Sequence, residues 1–187
     1  MKPILRDFPD HIETERLLIR CPMPGDGAPL RQAVIESQEE LKQWLPWAID
    51  IPDEAGYEIN IRNGHLRFLA REDLWFMLIH KESGAIIGGS GLHRINWDVP
   101  KFEIGYWLHT AYTRQGYITE AVAAIEAFAF DVLEAKRVEI RMDALNERST
   151  AVARRLNYQL EGILRQEARH HLTNALRDTM IFAKIRD

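Results

Sequence analysis

From Lys101 to Ala144 the hydrophobic period changes twice, and no other stretch restricts the fold so tightly. KFEIGYWLH (101–109) reads as a strand. Apolar residues then step by 4, 3, 4 and 3 through Ile118, Val122, Ile125, Ala129 and Val132, one stripe of a helix covering about 117–134. In RVEIRMDA (137–144), Val138, Ile140, Met142 and Ala144 alternate with Arg137, Glu139, Arg141 and Asp143, the period of a strand. A helix of that length between two strands is a crossover, so the strands should run parallel with a right-handed connection.

The remainder reads as antiparallel. ERLLIRC (15–21) is a first strand, ended by PMPGDG. Residues 27–45, with Leu30, Val34, Leu41 and Leu45, suggest two short helices before Pro46. Asp53 is placed to cap a helix running to about Arg71, with Tyr57, Ile61 and Phe68 on one side. DLWFMLIH (73–80) and AIIGGSGLHRI (85–95) form a hairpin, and NWDVP (96–100) turns into the strand at 101–109. A helix from about Ser149 to Leu156 and strands near 158–169 and 176–185 close the chain. The expected fold is mixed α/β (α+β), a mostly antiparallel central sheet with one parallel crossover pair and helices on both faces. At 187 residues, without a linker or repeat, it is read as a single domain over 1–187, large enough for a core.

The formal net charge is −4 and Lys and Arg form no run, which argues against a nucleic-acid partner. No apolar stretch reaches the roughly 18 residues of a spanning helix, so no membrane partner is expected. MKPILRDFPDH has acids and prolines where a signal peptide has its apolar core. A lone cysteine, Cys21, excludes an internal disulfide and suits a reducing cytosol, so the expected location is cytoplasmic.

Chemistry is expected where the crossover helix begins. A helix N-terminus offers unpaired N–H groups and partial positive charge, which together suit an anion, preferably phosphate. Gly116 lets the backbone approach such a group and Arg114 adds charge, although a lone glycine can equally serve only to turn the chain.

Two segments decide between these readings. EIGYWLHTAYTRQGYITEAV (103–122) and DALNERSTAVARRLNYQLEG (143–162) resemble the GCN5-related N-acetyltransferases (GNAT), specifically the RimJ/RimL-type branch that acetylates N-termini of ribosomal proteins. The resemblance runs from ETERLLIR (13–20) to DTMIFAKI (178–185). The family's phosphate loop, Gln/Arg-x-x-Gly-x-Gly/Ala, aligns with Thr113 to Ile118; Gly116 matches, while Thr113 and Ile118 depart. The family's Asn-x-x-Ser is present as Asn146 and Ser149, and Leu156-Asn157-Tyr158 stands where Leu-Gly-Phe is usual.

The resemblance implies acetyl-coenzyme A as co-substrate, without a metal, its pyrophosphate on the amides of Arg114, Gln115, Gly116, Tyr117, Ile118 and Thr119. It implies that the parallel strands splay to admit the pantetheine arm, which would pair with backbone near Trp107 and Leu108. Asn146 is implied to bind that arm, or else it only ends the strand. Ser149 is implied to protonate the departing sulfur, although a serine opening a helix also reads as an N-cap. Glu103 is implied to take the amine's proton, often through water; otherwise it is a solvated strand carboxylate. Trp44 and Trp47, in LKQWLPWA (41–48), match a segment near the acceptor in this branch, and alternatively are core.

The implied function is acetyl transfer to a primary amine, foremost a protein N-terminus. An α-amine of pKa about 7.7–8.0 is about a tenth neutral at pH 7, whereas a lysine near 10.4 is neutral in fewer than about one in a thousand molecules. An α-amine enzyme therefore manages with a weak base. Small amines such as aminoglycosides, polyamines or amino acids are the alternative acceptors, and a non-catalytic coenzyme A-binding regulator is a third reading. The sequence leaves a homodimer open. His170 and His171 are expected to point apart on a strand, as surface residues and not metal ligands. Gly88, Gly89 and Gly91 are expected to permit close packing, since no lysine or helix follows as in a nucleotide loop.

Overall fold

Eight strands form one sheet in the computed structural model, which describes residues 2–186. In chain order they are β1 (His11–Glu13), β2 (Leu17–Arg20), β3 (Leu74–His80), β4 (Ile86–Asn96), β5 (Lys101–Leu108), β6 (Arg137–Asp143), β7 (Gln159–Arg169) and β8 (Leu176–Ile185). Their order across the sheet is β1-β2-β3-β4-β5-β6-β8-β7. All neighbours are antiparallel except β5 and β6, which the helix α3 (Tyr117–Asp131) joins as the expected parallel crossover. That parallel ladder is short: Lys101, Phe102 and Glu103 pair with Arg137, Val138 and Glu139, and no further pairs follow among the described residues.

Period-two alternation sends the apolar residues to two clusters. Phe76 and Leu78 of β3, Phe102 and Ile104 of β5, and Val138, Ile140 and Met142 of β6 pack with Val122, Ile125 and Ala129 of α3. The stripe predicted for α3 is therefore the face it buries, except that Val132 caps the helix end and is exposed. The intervening residues Met77, Ile79 and Trp107 meet Leu30 and Val34 of α1 (Gly27–Leu41) and Tyr57 and Ile61 of α2 (Glu54–Ala70). At roughly 1.5–3 kcal/mol per fully buried large apolar side chain, these two interfaces dominate the gain on folding.

Four boundaries differ from expectation. Residues 27–45 hold one continuous helix, α1, because Leu30, Val34 and Leu41 fall on a single helical face; Leu45 lies past its end, before a 3-10 turn at Pro46–Ala48. β1 was not foreseen, being a three-residue strand with no apolar alternation. The first predicted strand shortens to β2. The helix expected from Ser149 is α4 (Glu147–Arg155), whose cap is Asn146: its side chain accepts a hydrogen bond from the Ser149 N–H at 3.0 Å. Asp53 caps α2 as expected, accepting from the Gly56 N–H at 2.8 Å.

Candidate active site

Gly116 caps α3 with φ +86°, in the left-handed region where a Cβ is costly. Glu120 N–H is the first to bond back into the helix, to Gly116 O. The N–H groups of Arg114, Gln115, Gly116, Tyr117, Ile118 and Thr119 find no acceptor among the described residues. Arg114 and Gln115 are exposed, Tyr117 is buried, and Ile118 packs partly on the core. Tyr117 therefore offers the turn its backbone only; its hydroxyl meets His80 Nε2 at 3.1 Å. A carboxylate, Glu120, also stands in this first turn, but Arg16 and Thr14 hold it: Arg16 Nε donates at 2.7 Å and Thr14 Oγ1 at 2.6 Å. These contacts keep the Glu120 carboxyl below its ordinary pKa despite burial, which acts the other way. The remaining feature of the turn is a run of free donors at a helix start, which suits a diphosphate.

Beyond Glu103, β5 has no partner on its β6 side among the described residues, so Ile104–Leu108 forms one lip of a wedge and Ile140–Asp143 the other. Tyr106 reaches α4 from the first lip. Its hydroxyl lies 2.7 Å from Ser149 Oγ and donates to Ser149 O at 3.2 Å. Burial pushes the Tyr106 phenol up to about 12, against the opposing effect of the Ser149 contact, so it keeps its proton at neutral pH. Asn146 is occupied at Oδ1 by its cap, while the NH2 end of the amide meets no acceptor among the described residues. Tyr106 was missed in the sequence because its contact with Ser149 spans 43 residues.

On the other face of the sheet lies a cavity of about 1120 Å³, lined by Gly105, Tyr106 and Trp107 of β5, by Trp47 and Asp50, and by Asn60 and Asn63 of α2. Trp47 meets Trp107 edge to face, with ring centroids 5.9 Å apart. Trp44 does not line the cavity. Leu108 is partly buried at the end of β5, where the following His109 N–H returns to Ile87 O at 2.7 Å. Among the cavity's titratable groups are Asp73 and His93, and His93 Nδ1 stands 3.0 Å from each Asp73 carboxylate oxygen. Glu103 neighbours His93 across the β4–β5 register and lies outside the cavity wall. Burial raises the Glu103 carboxyl above its ordinary pKa, with Arg94 and Arg141 opposing.

The two discounted motifs behave differently. Gly88 and Gly89 permit close packing as expected: added Cβ atoms would come 2.4 Å from Trp107 O and 2.6 Å from Trp107 Nε1. His170 and His171 do not point apart. They lie beyond the end of β7, and their rings stack 4.8 Å apart, reaching the carbonyls of Gln43 and Lys42. No cluster of three metal-ligating side chains occurs among the described residues, and no helix there is long and apolar enough to cross a membrane.

Residues 16–159 match the family model described as an acetyltransferase (GNAT) domain. A Bacillus subtilis (strain 168) protein, YdaF, whose name marks it provisionally as a ribosomal N-acetyltransferase, is 30% identical over 79% of this chain and 80% of its own. The ribosomal-protein-serine acetyltransferase of Escherichia coli (strain K12) is 30% identical over 93% and 95%. A solved structure of RimL, a ribosomal L7/L12 alpha-N-protein acetyltransferase in complex with coenzyme A, shares the fold with a TM-score of 0.87 at 22% identity, over 95% of this chain and 98% of that one.

Proposed function

The chain belongs to the acetyltransferase (GNAT) family and is an acetyl-coenzyme A-dependent N-acetyltransferase, and from that premise we propose that its acceptor is the N-terminal α-amine of a ribosomal protein. The observation that carries this reading is the cavity on the α1–α2 face. Its volume of about 1120 Å³ lies above the roughly 300–1,000 Å³ of pockets that enclose a drug-sized ligand. Asn60 and Asn63 give its wall the donors and acceptors that suit a peptide backbone. The E. coli relative, which acts on a ribosomal-protein serine by its name, supports the same class of acceptor. Ribosomal proteins as substrates make the cytoplasm the working compartment.

The co-substrate supplies an activated acetyl thioester. In this reading its pyrophosphate rests on the amides of Arg114 to Thr119, its pantetheine arm lies in the wedge along Trp107 and Leu108, and the free amide of Asn146 donates to that arm. Ser149 protonates the departing sulfur, with its hydroxyl held by the protonated Tyr106 phenol. The whole chain acts as one catalytic domain.

A thiol-release assay tests the acceptor. Supplied with acetyl-coenzyme A, the protein acetylates a serine-initiated peptide at its α-amine and ignores the same peptide blocked at the N-terminus, even with lysines present. Preference for a polyamine or aminoglycoside, or acetyl-lysine in the blocked peptide by mass spectrometry, would overturn the reading. Coenzyme A binding without turnover on any amine would leave a regulator.

A further inference from the structure

The geometry points to His93, oriented by Asp73, as the base that takes the proton from the acceptor amine. The inference rests on the acceptor entering by the cavity, as proposed above. Three independent features converge on it. Asp73 precedes β3 and His93 lies on β4, and the pairing of Leu74 with Leu92 sets them side by side. An ionised carboxylate only accepts, so in the neutral imidazole Nδ1 carries the proton toward Asp73 and Nε2 keeps its lone pair. Nε2 has no hydrogen-bond partner among the described residues.

The second feature is the space made for the ring. Built on Gly91, a Cβ would lie 2.9 Å from His93 Nε2, and on Gly105 it would lie 3.2 Å from His93 Cδ2. The imidazole thus overlies two glycines of adjacent strands, and a side chain at Gly91 would displace it. Gly105 is also the second residue of the β5 lip past the end of the parallel ladder. The base therefore stands where the acceptor cavity meets the wedge.

The third feature is what happens directly after His93. The β4–β5 register shifts between His93 and Asn96, and Arg94 takes φ +47°. A bulge of this kind re-aims side chains beside active sites. The charged groups around His93 are Asp73, Arg67 at 3.4 Å from Asp73, and Glu103, with Arg94 at 3.6 Å from Glu103. The Arg67 and Arg94 side chains are largely exposed, and His93 itself lines the cavity with its Nε2 unpaired among the described residues.

The step balances. An ammonium gives one proton to Nε2, which releases it to water through the open cavity. The neutral nitrogen then bonds to the thioester carbonyl carbon and the C–S bond breaks. Ser149 delivers a proton to the thiolate and is replenished by the second proton lost from nitrogen. The products are the acetylated amine, free thiol and one proton in solvent.

The test compares two acceptors, a serine-initiated peptide and its analogue with an aminooxy group for the α-amine, which is neutral at assay pH. His93→Ala should lower kcat/KM for the peptide by about 10²-fold or more, the usual scale for a positioned base. The aminooxy analogue should lose far less, and coenzyme A affinity by calorimetry should not change. Asp73→Asn should follow in the same direction. His93→Gln, which fills the space, serves if the alanine variant does not fold. Equal losses on both acceptors would reduce His93 to a structural residue. Wild-type rates would also sink the assignment, as would Glu103→Gln showing the acceptor dependence in its place. If wild-type protein acetylates neither acceptor, the functional reading fails, and not this one alone.

Discussion

Ser149 and Asn146 stand three residues apart and carry separable tasks. Capping by Asn146 uses the Ser149 N–H, which an alanine retains, so Ser149→Ala should keep the cap and cost only the lost Tyr106 contact, about 1 kcal/mol. Its kcat should fall by roughly 10²-fold or more, because the lost hydroxyl acts as charge develops on sulfur. Asn146→Ala should instead remove the cap while leaving the Ser149 hydroxyl in place, also costing about 1 kcal/mol. Melting curves and turnover on the same preparations check both, and a Ser149→Ala variant of full activity would make the Tyr106 contact purely structural. The expectation that Ser149 itself caps the helix fails for a local reason. Asn accepts from the residue three positions on, and here that residue is Ser149.

At the scale of elements, the start of α3 distinguishes a turn from a cradle. Gly116 has open space around it; an added Cβ would approach only Arg16 Nη2, at 3.5 Å. Gly116→Ala should therefore fold, losing about 1–2 kcal/mol because of its left-handed φ. Coenzyme A affinity should drop as well, since relaxing that φ swings the free N–H groups away; unchanged affinity by calorimetry would reject the cradle. This junction was legible in the sequence because the hydrophobic period switches from two to 3.6 across a glycine. So was the parallel pair, which follows from the length of the connection. The Asp73–His93 and Tyr106–Ser149 contacts were not legible, spanning 20 and 43 residues. Each depends on which residue of one element stands opposite which of another, and periodicity reveals faces but not register. β1 escaped for the opposite reason, since a three-residue strand is too short to show any period.

Across the whole molecule, three rungs of parallel ladder join the β1–β5 part of the sheet to β6, β8 and β7. A ligand in the wedge would bridge the two parts. Coenzyme A at a hundredfold above its Kd should stabilise the fold by about 2.7 kcal/mol. Hydrogen exchange should slow on both lips, at Ile104–Leu108 and Ile140–Asp143, with little change at the outer strand β1. Protection confined to one lip would contradict insertion between them. The helices flanking this sheet also divide the labour by kind of atom. On the α3 side the donors are main-chain amides, which any residue but proline supplies. On the α1–α2 side the wall is built of indoles, carboxamides and carboxylates, where each replacement alters shape and charge. Descendants of such a chain can rewrite the second wall while the first keeps its chemistry almost untouched, so a lineage can change what it modifies long before it changes what it modifies with.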